Sequence, residues 1–172
     1  MNFLKLSLNH NKKEEFKNIF RKFENIFFFY RLQHEIGDSH TVLDVGCGND
    51  SPIGRIGKKF ISEGIDIYPK CIKVSKKNHY HDSYRLGDVR KLHTIYKKKS
   101  FDTLVSIDVI EHLTKQDSLK MISDMEGIAR KKVIIMTPQG YIDQKAYDGN
   151  PYQTHHSGWT KKELQDLGYQ VY

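Results

Sequence analysis

The sequence predicts an α/β fold: a mainly parallel, doubly wound sheet with helices on both faces, preceded by an amphipathic helix. Three observations carry that expectation. The chain has 172 residues, one domain's worth, and at that size folding buries roughly 70% of the unfolded surface in a single core. After Gly37, short apolar runs alternate with helix-length segments, the rhythm of βαβ units. The first of those runs breaks at Gly46 and Gly48, where a strand gives way to a tight turn.

The elements follow in order. Residues 1–37 form an N-terminal helical segment. From Lys12 to Ile36, Phe16, Ile19, Phe20, Phe23, Ile26, Phe27 and Tyr30 recur at steps of three and four, the period of an amphipathic helix. Its polar face carries Lys13, Lys17, Arg21 and Lys22, as a membrane-surface helix would, but Glu14, Glu15 and Glu24 dilute it and packing on the domain explains the same stripe. Residues 41–137 form the core, with strands expected at Thr41 to Val45, Phe60 to Ile67, Tyr84 to Gly87, Phe101 to Ile107 and Lys132 to Met136. Ser51 before Pro52 reads as an N-cap with proline at the first helical position, and Pro69 opens the next helix in the same way. Thr114 with Asp117 resembles a capping box and starts a helix through Met121, Ile122, Met125 and Ile128. In residues 138–172, a loop of about 20 residues from Pro138 to Gly158 is long enough to be functional or disordered. Thr160 with Glu163 caps the last helix, and Tyr169 to Tyr172 read as the start of one more strand.

Lys and Arg number 28 against 21 Asp and Glu, a net charge of +7. That balance suits a nucleic acid, an anionic surface or an acidic substrate. The basic residues fall as short clusters, Lys58-Lys59, Lys76-Lys77, Lys97 to Lys99 and Arg130 to Lys132, which is the pattern of solvated helix ends and loops. Cys47 and Cys71 have neither zinc-ligand spacing nor the density of a disulfide scaffold, which points to a reducing compartment. No stretch of about 18 apolar residues runs uninterrupted, so no transmembrane segment is expected and the chain reads as soluble and cytoplasmic.

Chemistry gathers at the ends of the strands. In VLDVGCGND, Val42 to Asp50, the glycines let a ligand approach the backbone, but a dinucleotide fingerprint wants glycine or alanine where Ser51 stands. Asp44 lies two residues before Gly46, and a carboxylate there repels a pyrophosphate and suits a cationic, amine-bearing ligand. Asp66, in GIDIYP, follows the glycines at the spacing of a residue that accepts ribose hydroxyls. Asp88, in LGDVRKL, follows the third strand. Three acids at successive strand ends mark the edge where open α/β sheets bind ligands.

An acid followed by alternating glycines resembles the first motif of the class I S-adenosylmethionine-dependent methyltransferases, with Asp50 where that family has a third glycine. The resemblance extends over about Val42 to Tyr172 and implies a Rossmann-like fold. It implies S-adenosylmethionine as cofactor, with Asp44, Gly46, Cys47, Gly48, Asp66, Ile67, Asp88, Val89 and Asp108 around it. In that resemblance Asp88 accepts from the adenine amino group while the Val89 amide donates. The run FDTLVSIDVIEHL resembles the family's fourth motif and sets Asp108 beside the methyl donor, as the first catalytic candidate for contact with the acceptor or the methionine moiety. Glu111 and His112 follow; His112 is a candidate general base because imidazole titrates near neutral pH, although the EHL triplet is often structural in this family. The stretch TPQGYIDQKAYDGNPYQTHHSGWT resembles the acceptor-side loop of a group of small prokaryotic methyltransferases. Tyr141, Tyr152, His155, His156 and Trp159 are its candidate acceptor contacts, unless they simply pin the loop. No metal is expected, since adjacent His155 and His156 rarely bind one ion alone.

Methyl transfer is a displacement at carbon, so the protein has to hold donor and acceptor in line at about 3 to 3.5 Å. No cysteine follows a proline, and no Asn/Asp-Pro-Pro-aromatic motif follows the fourth strand, which disfavours methylation of pyrimidine carbons and base amines. The expected acceptor is an oxygen or nitrogen of a small molecule, saccharide or lipid head group. RNA is the alternative that the charge suggests, and a non-catalytic cofactor-binding or partner-binding domain is the other. Family members usually finish with an antiparallel strand pair, which is incomplete here, and an open sheet edge would favour a homodimer.

Overall fold

The structure, a computed structural model, describes residues 26–57 and 59–172. Residues 26–36 are helical and form α1. The expected start of that helix at Lys12, with its basic face, lies outside the described residues. Five strands follow: β1 Thr41–Val45, β2 Ile61–Asp66, β3 Ser83–Leu86, β4 Phe101–Ile107 and β5 Ala129–Met136. All four pairings are parallel, and the order is β3-β2-β1-β4-β5. The chain leaves β1 toward β2 on one side and returns to β4 on the other, so the β1/β4 junction is the switch point where such sheets open a crevice.

Central strands are apolar on both faces because both are covered. Along β1, Val42 packs with Leu32 and Ile36 of α1 and with Ile53 and Val105. Leu43 and Val45 turn the other way, into a cluster with Leu104, Ile110 and residues Met121, Ile122, Met125 and Ile128 of α4, Lys115–Ile128. Helix α2, Pro69–Lys77, opens on its proline as expected, and the short α3, Leu92–Ile95, precedes β4. The Thr114 hydroxyl accepts from the Asp117 amide to start α4, and a complete Thr160/Glu163 capping box starts α5, Lys161–Asp166.

Some expectations need correction. The segment after Ser51 is a single 3-10 turn, Pro52–Arg55, rather than a helix; Ser51 does cap it, but the backbone is extended again by Ile56. Strands β2 and β3 sit within one residue of their expected limits, which is the uncertainty of any terminal assignment. Strand β5 begins at Ala129, because Ala129 both caps α4 and pairs with Phe101. The basic triplet Arg130 to Lys132 therefore lies on an edge strand, not in a loop, where lysines discourage pairing with another chain. Residues 169–172 carry no strand pairing. Among the described residues, no helix is long and apolar enough to cross a membrane.

Candidate active site

A cleft of about 700 Å³ opens at the carboxyl edge of the sheet. It is lined by the glycine turn, by the strand-end acids Asp44, Asp66, Asp88 and Asp108, and by Ile67 and Val89. The wall beyond them is made by Glu111, His112 and the 138–158 loop, including Tyr152, His155 and His156.

The turn after β1 is tied to β2, since the Gly46 and Cys47 amides both donate to the Ile65 carbonyl, at 2.8 and 3.0 Å. Gly46 has φ +76°, and a Cβ there would stand 2.5 Å from a Val109 methyl carbon. Gly48 has φ +58° but no protein atom within 4 Å of where its Cβ would be, so that side of the turn is open. The Cys47 side chain is buried toward Gly64 and His81, and burial pushes its thiol far up, so it offers the cleft no thiolate. Asp44 is 3% exposed. Its Oδ2 accepts from Ser51 Oγ at 2.6 Å and meets His81 Nε2 at 2.9 Å. Ser51, which spoils a dinucleotide fingerprint, thus fixes the acid that replaces it.

Asp66 accepts from the Gly48 amide at 2.9 Å and from the Tyr68 amide at 2.7 Å, while burial pushes its carboxyl above the usual range. Asp88 caps the 3-10 turn Val89–Lys91, and the Arg90 guanidinium grips its carboxylate, with Nη2 at 2.6 Å, holding it below the usual range. Asp108 terminates β4 in a left-handed conformation, φ +52°, with its amide donating to the Met136 carbonyl. It is exposed to the cleft, and the surrounding walls raise its carboxyl. Burial lowers the His112 imidazole, which leaves it neutral at neutral pH.

The long loop is ordered by its own contacts. The Tyr68 hydroxyl donates to the Gly149 carbonyl at 2.8 Å, and the Tyr68 and Tyr152 rings pack 6.3 Å apart, so the loop crosses the tip of β2. His155 and His156 are separated by the backbone: His155 is buried, whereas His156 is exposed and its amide donates to the Glu111 carbonyl. Two expected acceptor residues do not line the cleft. Tyr141 is 61% exposed outside it, and Trp159 is 2% exposed in the core, its ring 3.7 Å beneath Lys115 Nζ. Glu111, His81 and Arg90 were not among the expected site residues. His81 lies 37 residues from the acid it meets, and only the three-dimensional fold shows that pairing.

A family model described as a methyltransferase domain matches residues 43–137, more than half of the chain. The chain belongs to the class I S-adenosylmethionine-dependent methyltransferases. Its cofactor is S-adenosylmethionine. The open side of Gly48 beside the carboxylate of Asp66 fits a nucleoside. Solved structures share the methyltransferase's fold. An S-adenosylmethionine-dependent methyltransferase from Archaeoglobus fulgidus is 18% identical over 82% of this chain and 65% of its own, with a TM-score of 0.62. The methyltransferase domain of a bacterial CtHen1-CN is 20% identical over 83% and 81% of the two chains, also at 0.62. S-adenosylmethionine-bound CalS10 from Micromonospora echinaspora, an amino pentose methyltransferase, is 15% identical over 83% of this chain and 63% of its own, at 0.56. The methyltransferase chain thus spans less than two thirds of the length of the first and third of these. No curated protein matches it by sequence.

Proposed function

We propose that this methyltransferase passes the methyl group of S-adenosylmethionine to an oxygen or nitrogen of a small molecule, saccharide or lipid head group held under the 138–158 loop. The observation that supports it is the continuity of one cleft from the glycine turn to the His112/His155 wall, which lets two ligands meet end to end. When bound, the cofactor supplies an electrophilic methyl group on a sulfonium.

The chain's own residues do the positioning. Asp66 accepts the ribose hydroxyls, the Asp88–Val89 edge meets the adenine, and the Gly46–Gly48 backbone with Asp44 behind it receives the amine-bearing tail. Asp108 stands where donor and acceptor meet, and neutral His112 in the cleft wall is the proton acceptor. Tyr152 and His156 offer an aromatic face and a hydrogen-bonding edge to the acceptor.

The RNA reading is favoured by the net charge of +7. The cleft itself is acidic, with Asp44, Asp50, Asp66, Asp88, Asp108, Glu111 and Asp117 against Arg90 as its sole Lys or Arg among the described residues. A phosphate backbone has little to hold there, so RNA stands second. Methyl-labelled cofactor incubated with sugars, amines, lipid head groups and RNA tests the order: label in the first three supports the proposal, and label in RNA alone reverses it. Cofactor binding without transfer to any acceptor class leaves the non-catalytic reading standing.

A further inference from the structure

Glu111 is 2% exposed, yet its Oε1 has no hydrogen-bond partner. Its other oxygen accepts from Thr137 Oγ1 at 3.0 Å. A buried carboxylate with one oxygen bare is expensive unless a cation meets it, and burial duly raises its carboxyl. Neither Glu111 nor Asp108 has a salt-bridge partner among the described residues.

Two imidazoles stand beside the Glu111 carboxylate. One ligand-capable atom each from Glu111, His112 and His155 lie within 4.8 Å of one another, and the two rings meet edge to face with centroids 4.7 Å apart. Each ring is also held from behind. His112 Nδ1 faces the Thr154 carbonyl at 3.3 Å and His155 Nδ1 faces the Ile142 carbonyl at 2.8 Å. A carbonyl can only accept, so each ring carries its proton on Nδ1 and keeps the Nε2 lone pair free. A backbone carbonyl fixing the tautomer from behind is how metal-ligating histidines are usually oriented. The loop is pinned at the same place, since the His156 and Ser157 amides donate to the Glu111 carbonyl at 2.8 and 3.1 Å. His155 is therefore brought to Glu111 by backbone bonds, independently of any ion.

We propose that Glu111, His112 and His155 bind a divalent first-row transition ion on the acceptor side of the cleft. This inference deepens the methyl-transfer reading and rests on it for its role, though not for its existence. One carboxylate and two imidazoles suit manganese, iron or zinc better than magnesium or calcium, which prefer all-oxygen shells. Three protein ligands leave coordination positions toward the cleft, and Asp108, whose charge acts on Glu111, adds a second negative charge nearby. Those positions would take the acceptor oxygen of a hydroxyl, which narrows the acceptor class to alcohols. Coordination makes the hydroxyl more acidic. With the His112 Nε2 lone pair on the ion, His112 no longer serves as the base, and the proton goes to water instead; the oxygen pair forms the new O–CH₃ bond, and the C–S bond breaks with its electrons staying on sulfur. The ion keeps its oxidation state throughout.

Sequence spacing hid this site, because Glu111-His112 and His155 are separated by more than forty positions and His156, the neighbour that invites attention, is not one of the three grouped residues. The test is titration of the metal-stripped protein with Mn²⁺, read by the loss of the free-ion paramagnetic resonance signal, alongside calorimetry with S-adenosylhomocysteine. The expected result is saturable binding of one ion per chain. Glu111→Gln and His155→Gln should weaken it by at least about ten-fold while S-adenosylhomocysteine still binds, which shows that the variants are folded. Wild-type protein that binds S-adenosylhomocysteine but not Mn²⁺ or Zn²⁺ overturns the proposal, as does Mn²⁺ binding indifferent to both substitutions. Mn²⁺ binding lost in the variants, in a chain that never binds S-adenosylhomocysteine, upholds the ion site and sinks the methyl-transfer reading instead.

Discussion

Asp66 anchors the glycine turn through the Gly48 amide and turns the same carboxylate toward the cleft. Its replacement by asparagine keeps the shape and costs about 1 kcal/mol of stability. Affinity for S-adenosylmethionine should fall at least about ten-fold, by calorimetry. Burial raises its carboxyl, so it takes up a proton at a higher pH than a free aspartate, at about 3.9. Cofactor affinity should therefore weaken on acidification before an unperturbed carboxylate would titrate, and a flat affinity down to about pH 4 contradicts the role. The strand-end acids were legible because each closes an apolar run. The Asp44–His81 pairing and the bare Glu111 oxygen were not, since both depend on which distant segments the sheet brings together.

Among the elements, the β4–β5 edge is held by Asp102, which accepts from Arg130 Nη1 and from the His40 amide, both at 2.8 Å. The Arg130 guanidinium lowers its carboxyl to about 2. A depressed carboxyl stabilises fully above the unfolded pKa, about 3.9, and that stabilisation fades as pH falls through the folded value. Asp102→Asn should cost about 2 kcal/mol at neutral pH, with the gap to the wild type closing between pH 4 and about 2 in denaturant titrations. Trp159 joins the core cluster and bridges Gln139 and Gly140. Trp159→Ala should lose about 3 to 5 kcal/mol; a variant of unchanged stability that fails only in transfer would return the residue to the acceptor pocket. Period and capping signals gave β1, β4, α4 and α5 their limits, because these elements have caps or apolar runs written locally. The 3-10 turn at Pro52–Arg55 and the early start of β5 had no such local mark: one depends on how quickly the chain must return to β2, the other on a pairing with Phe101. The sequence leaves Trp159 open between acceptor contact and loop packing for the converse reason, as a tryptophan in a loop rich in Gly and His has the same composition whether it faces a ligand or the core.

At the scale of the molecule, the alternation of strands and helices foretold a doubly wound sheet, and its order puts β1 beside β4 with the cleft at their carboxyl ends. The net charge of +7 suggested a polyanion partner, yet the cleft collects acids while the Arg130 to Lys132 cluster lies on the far edge strand, a segregation that composition does not contain. The central claim is that this cleft holds S-adenosylmethionine through the glycine turn and Asp66. Calorimetric titration of the purified chain with S-adenosylmethionine, S-adenosylhomocysteine and NAD, with Asp66→Ala alongside, tests it most directly. Micromolar binding of the first two, absent for NAD and lost in the variant, is the predicted result; tight NAD binding, or a folded wild-type chain that binds none of the three, contradicts it.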